Sequence, residues 1–134
     1  MGLDMYAEAL IQAFEHPQHK HEMDNATKSM HEENISCGDK ITIHLRIGDG
    51  VVKEASFEGS GCVISMGSAE MLFGELKGKE LSDIESMSRE DILKIIKIDP
   101  GPVRMHCATL SLRAIKKAVL DYEKKPIDRA TKEL

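Results

Sequence analysis

Three cysteines, Cys37, Cys62 and Cys107, are the residues of this 134-residue chain best suited to chemistry. A thiol can pack as a small apolar side chain, bind a soft metal ion, or act as a nucleophile toward sulfur. The three lie 25 and 45 residues apart, so no CxxC-type clip exists and only the fold could bring them together. Three is an odd number, and "MGLDMYAEAL" has no charged region preceding an apolar core, so no signal peptide is expected. A disulfide framework is therefore not expected, and the thiols should stay reduced in the cytoplasm. Packing, metal binding and nucleophilic attack all remain open to such thiols.

The neighbours of the cysteines narrow the choice. Asp39 follows Cys37 by two positions, where a carboxylate could join a metal or cap the turn after Gly38. Gly59 and Gly61 precede Cys62, and glycines permit close backbone approach to a bound group. Each cysteine is expected at a junction: Cys37 before a strand, Cys62 between a strand and a helix, Cys107 opening a last helix. At a helix start the macrodipole favours an anion, which would lower the thiol pKa of Cys107 and Cys62.

The elements that must position these groups follow from periodicity. Tyr6, Leu10, Ile11 and Phe14 recur at helical spacing over residues 3–14, and Pro17 closes that helix. The polar segment 16–35, with His16, His19, His21 and His31, reads as a solvated loop. In "KITIHLRI", Ile41, Ile43, Leu45 and Ile47 alternate with Thr42, His44 and Arg46, a half-buried strand with His44 on the exposed side. "GDG" at 48–50 predicts a hairpin turn into the strand "VVKEASFEGSG". Helical spacing returns over 65–76, then in two short helices with Ser82 and Ser88 as N-caps, the second with Asp91 three residues on. "DPGPVR" reads as a break before a helix over 105–123, whose Ala108, Leu112, Ile115, Val119 and Tyr122 form one stripe. The layout is α+β, a small antiparallel sheet with helices on one face. One domain is expected over 1–134, with its core at 3–123 and a fraying charged tail at 124–134.

Composition excludes several functions. A formal charge of −5 does not suit a nucleic-acid binder, which needs a basic surface. No apolar run approaches the roughly 20 residues that span a bilayer, so no membrane partner is expected.

Three motifs in order, "SCGD" before a strand, "FEGSGCVIS" at a strand-to-helix turn and "PVRMHCATL" at the last helix, resemble the IscU/SufU family. These are NifU-amino-terminal-like scaffold proteins for iron–sulfur cluster assembly, and the resemblance runs from about Met5 to Tyr122. It implies a sheet of about three strands. It also implies that Cys37, Asp39, Cys62 and Cys107 converge on one exposed end to hold a transient [2Fe–2S] cluster or a zinc ion. His106 matches the histidine that precedes the third cysteine in the IscU branch, and is an alternative fourth ligand.

The resemblance further implies a cysteine desulfurase as sulfur donor, apo iron–sulfur proteins as acceptors, and no turnover of the scaffold's own. Cys107 would be the first persulfide acceptor and Cys37 the next, with the desulfurase docking on the first helix and the loops near both. The IscU branch also shows a Leu-Pro-Pro-Val-Lys loop to an Hsp70-type chaperone. Here Pro100, Gly101, Pro102, Val103 and Arg104 stand there, so that Pro102, Val103 and the positive charge match. The insertion of the SufU branch between the second and third cysteines is absent, whereas "MYAEALIQAFEHPQH" is similar to that branch. The SufU branch offers a second function, that of a zinc-dependent sulfurtransferase partner of the desulfurase.

Overall fold

The computed structural model describes residues 2–134. Helix α1 (Gly2–Glu15) is followed by strands β1 (Lys28–Asn34), β2 (Asp39–Gly48) and β3 (Val51–Ser60), paired antiparallel in that order. Alternation does what it should in β2: Ile41, Ile43 and Leu45 are fully buried on one face. Asp49 and Gly50, with φ of 55° and 74°, make the two-residue turn into β3. A one-residue register shift after Arg46 leaves Lys53 as the bulge. Phe57 of β3 then meets Phe73 of α2 (Val63–Phe73) edge to face, ring centroids 5.1 Å apart.

β1 corrects the expectation of a loop over 16–35. Its inward positions are Lys28, Met30, Glu32 and Asn34, of which only Met30 is apolar. The charged ones are matched by α6 (Leu110–Tyr122): Glu32 meets Lys117 at 2.7 Å and Arg113 at 3.7 Å, and Lys28 pairs with Asp121. Hydrophobic periodicity cannot reveal a strand whose buried face is ionic. The histidine segment is not simply solvated either. His19 is pinned to Glu70 of α2 by its backbone N–H at 2.9 Å and by its ring at 2.7 Å, and its carbonyl accepts from Phe57 on the free edge of β3. His44 is clamped rather than exposed, its two ring nitrogens 2.7 Å from Ser29 Oγ and 2.7 Å from Glu58 Oε2.

The short helices are α3 (Leu81–Glu85) and α4 (Arg89–Ile96). Ser88 and Asp91 form the expected capping box, but α3 is preceded by Glu80 at its N-cap, not Ser82. The last helix of the sequence reading is two helices, α5 (Gly101–Ala108) and α6, broken at Thr109. Thr109 Oγ1 donates back to the Met105 carbonyl at 3.0 Å, a bond that bends helices. Pro100 and Pro102 do not stop a helix here but start one, since a first-turn proline lacks only an N–H that has no partner anyway. Residues 124–134 dock instead of fraying: α7 (Arg129–Lys132) forms, Leu134 is 7% exposed, and Arg113 donates to its carbonyl at 2.9 Å. No helix of the described residues is long and apolar enough to cross a membrane.

The helices cover one face of the sheet, and α1 reaches the core through α2 at Gly67. A Cβ there would stand 2.8 Å from the Leu10 carbonyl oxygen and 2.9 Å from Leu10 Cδ1. Because one of those atoms is backbone, α1 must shift as a body to accept it. Gly67→Ala should therefore lower unfolding stability by about 1–3 kcal/mol in urea titrations; an unchanged midpoint would deny the close α1–α2 contact.

Candidate metal centre

The site is assembled where three junctions meet at one end of the sheet. The first is the β1–β2 turn. The Asn34 carbonyl accepts from the N–H groups of Cys37 (3.2 Å) and Gly38 (2.9 Å), and Gly38 takes the positive φ of 74° that the turn demands. This leaves Cys37 exposed at the tip and buries Asp39, 1% exposed, at the start of β2.

The second junction is the bend from β3 into α2. Asp39 Oδ1 accepts from the Cys62 N–H at 3.1 Å and from Ser65 Oγ at 3.1 Å, which locks the bend to β2. Gly61 must be glycine for this, because a Cβ would lie 2.5 Å from both Asp39 Oδ1 and Ser65 Oγ. Cys62 itself is the N-cap of α2, and its sulfur accepts from the Ser65 N–H at 3.4 Å. Its expected place at a helix start is therefore found.

The third junction is α5. Cys107 stands in the last turn of that helix, not its first, and its side chain is fully buried. The macrodipole argument consequently fails for Cys107. Its thiol pKa is pushed well up instead, first by burial, then by the adjoining Cys37 thiol and Asp39 carboxylate. Arg104, one turn earlier, is the exposed cation of the site. Its pKa is raised first by Cys62 and then by Cys107 and Cys37, so the guanidinium and the three sulfurs share one electrostatic neighbourhood.

Cys37, Asp39 and Cys107 offer one ligand atom each, all within 4.8 Å of one another, and the two sulfurs are 3.4 Å apart. Two thiolates and a carboxylate at that separation can hold zinc or an iron–sulfur cluster, both of which accept thiolate ligands. Cys62 borders this cluster through its N–H bond to Asp39 but lies outside the 4.8 Å set. His106, exposed on α5 beside Cys107, lies outside it too. The sequence reading did not single out Asn34, Ser65 or Arg104 for a place at the site. Their one signal is position, each three residues from a cysteine.

The family model described as NifU-like N terminal domain matches residues 5–129. The chain is 34% identical over 131 residues to the iron-sulfur cluster assembly scaffold protein IscU of Thermotoga maritima, covering 86% of this chain and 92% of that protein. It is 30% identical over 136 residues to the zinc-dependent sulfurtransferase SufU of Bacillus subtilis, covering 89% of this chain and 92% of that one. The fold matches the crystal structure of a nitrogen-fixing NifU-like protein (N-terminal) from Brucella abortus, with a TM-score of 0.76, 16% identity, and coverage of 92% and 97%. The chain belongs to the NifU-like N-terminal domain family.

Burial and charge predict an order of thiol reactivity for the metal-free protein. Iodoacetamide at pH 8 should label exposed Cys37 first and buried Cys107 last, by at least roughly tenfold. A thiol whose pKa is raised stays protonated to higher pH, so Cys107 labelling should accelerate only above the pH at which an ordinary thiol ionises. Peptide mass mapping reads the order, and labelling of Cys107 as fast as Cys37 would contradict the burial.

Proposed function

We propose that this protein is an iron–sulfur cluster assembly scaffold. It receives sulfur from a cysteine desulfurase, builds a transient [2Fe–2S] cluster on Cys37, Asp39, Cys62 and Cys107, and passes it to apo acceptor proteins. The cluster is cargo, and the protein has no turnover of its own. The observation that carries the reading is the convergence of Cys37, Asp39 and Cys107 within 4.8 Å from two chain segments about 70 residues apart. The 34% identity to a protein named as an IscU scaffold supports it. Unpaired thiols in this role need a reducing compartment, which we take to be the cytoplasm.

Each ligand has a distinct part. Asp39 Oδ1 is occupied by the bend of α2, so Oδ2 is the oxygen available to the cargo. A single oxygen among thiolates makes one corner of the cluster weak, which suits a protein that must release what it builds. Cys62 would join from the edge of this set, and its sulfur can keep the Ser65 N–H bond while it ligates, since cluster-bound thiolates accept such bonds. His106 stays an alternative fourth ligand, less favoured because it stands outside the cluster. For sulfur reception the geometry favours Cys37 over Cys107. A thiolate there would attack the outer sulfur of the donor persulfide, break the S–S bond, and leave the donor cysteine as thiolate. An external thiol reductant, itself oxidised to a disulfide, would then supply the two electrons that release each transferred sulfur as sulfide for the cluster. Cys107 is buried behind it.

The second reading is a zinc-dependent sulfurtransferase partner, favoured by the 30% identity to a protein of that name. The same residues would hold zinc. Incubation under anaerobic conditions with ferrous iron, cysteine and a desulfurase separates the two. The scaffold reading expects sulfide-to-iron charge-transfer bands with iron and sulfide in equal amounts, and slower transfer to an apo acceptor from Asp39→Ala. Zinc alone with persulfide on Cys37 would favour the second reading, and neither metal would refute both.

A further inference from the structure

Asn34 closes β1 and is 8% exposed, and its backbone carbonyl accepts both hydrogen bonds of the β1–β2 turn. The side chain makes separate contacts. Its Nδ2 stands 3.4 Å from Cys107 Sγ and 3.4 Å from Asp39 Oδ2, so the two amide hydrogens address two of the three clustered residues at once. That length is ordinary for a bond to sulfur and long for one to oxygen, so the contact with Cys107 is the stronger. Among the described residues no other nitrogen donates to either atom. The reverse amide orientation would aim an oxygen at the Asp39 carboxylate, so the surroundings fix which end points inward.

We infer that Asn34 is a positioning residue for the metal cargo, its amide holding Cys107 Sγ and Asp39 Oδ2 toward the common centre without binding the metal. The inference rests on the assembly function proposed for the same site. An uncharged donor is the group the position requires. A second carboxylate would add negative charge beside Asp39 and the sulfurs, and an apolar side chain would leave the buried sulfur and Oδ2 with no donor. Donors behind metal ligands fix ligand orientation, and N–H groups on thiolate sulfur tune the metal's electronic properties.

The test uses the full chain with zinc alone and cobalt(II) alone. Asn34→Ala removes the amide, and Asn34→Leu removes it while keeping the side chain's branched outline and filling the space. Competition with a chromophoric chelator should show a loss of roughly tenfold to a hundredfold in zinc affinity for both. The thiolate-to-cobalt charge-transfer band should move to lower energy in both, because a sulfur without its N–H donor holds its electrons less tightly. Circular dichroism of the metal-free variants should match the parent. Parental affinity and band position in both variants would overturn the inference while leaving the site intact. Loss in Asn34→Ala alone would also overturn it, assigning the effect to volume. A parent chain that binds zinc no better than Cys107→Ser would instead sink the proposed site itself.

Discussion

A buried carboxylate has to find donors, and at Asp39 that requirement joins the separate parts of this fold. With 1% of its surface exposed, Asp39 takes the Cys62 N–H and the Ser65 hydroxyl on one oxygen and faces Asn34 on the other. An unpaired charge there would cost several kcal/mol, so the β3–α2 bend and the end of β1 are held in fixed relation to β2. Gly61 is the steric counterpart, since any side chain at that position would occupy the space of the same carboxylate oxygen. The third segment, α5, packs against α2. It brings the Cys107 sulfur to 3.4 Å from that of Cys37.

The groups proposed to hold the cargo also hold the fold. Cys62 caps α2, Asp39 fixes the bend, and Cys107 is sealed behind Cys37. In the reading proposed above, the single oxygen corner keeps the cargo weakly held. Weak retention is an advantage for a protein that hands its cargo on. The exposed side of the centre is Cys37, and the Arg104 cation acts on the same sulfurs, on Cys62 most strongly. That is the side a sulfur donor can reach.

Much of this was legible in the sequence, and the failures have physical causes. The β2–β3 hairpin followed from strict alternation and a Gly-Asp-Gly turn, and the Ser88 capping box from its spacing. β1 was missed because its buried face carries Lys28 and Glu32, which answer charges on α6, and Asn34, which bonds Asp39 and Cys107, rather than joining an apolar layer. The start of α5 was placed too late because its prolines were read as breakers, and Cys107 was consequently given the electrostatics of a helix start. The motifs did foretell the meeting of Cys37, Asp39 and Cys107. They could not foretell that Cys62 would be turned to its helix cap, or that the Asn34 amide would reach both Cys107 and Asp39, because both are facts of side-chain geometry.

The central claim is that sulfur from distant segments and one carboxylate oxygen bind a single centre. X-ray absorption at the zinc edge of the loaded protein tests it most directly. The account predicts a shell of three sulfurs at about 2.3 Å and one oxygen at about 2.0–2.2 Å, without the outer-shell scattering of an imidazole. A shell dominated by nitrogen and oxygen, with imidazole scattering, would place the metal on the histidines and contradict the account.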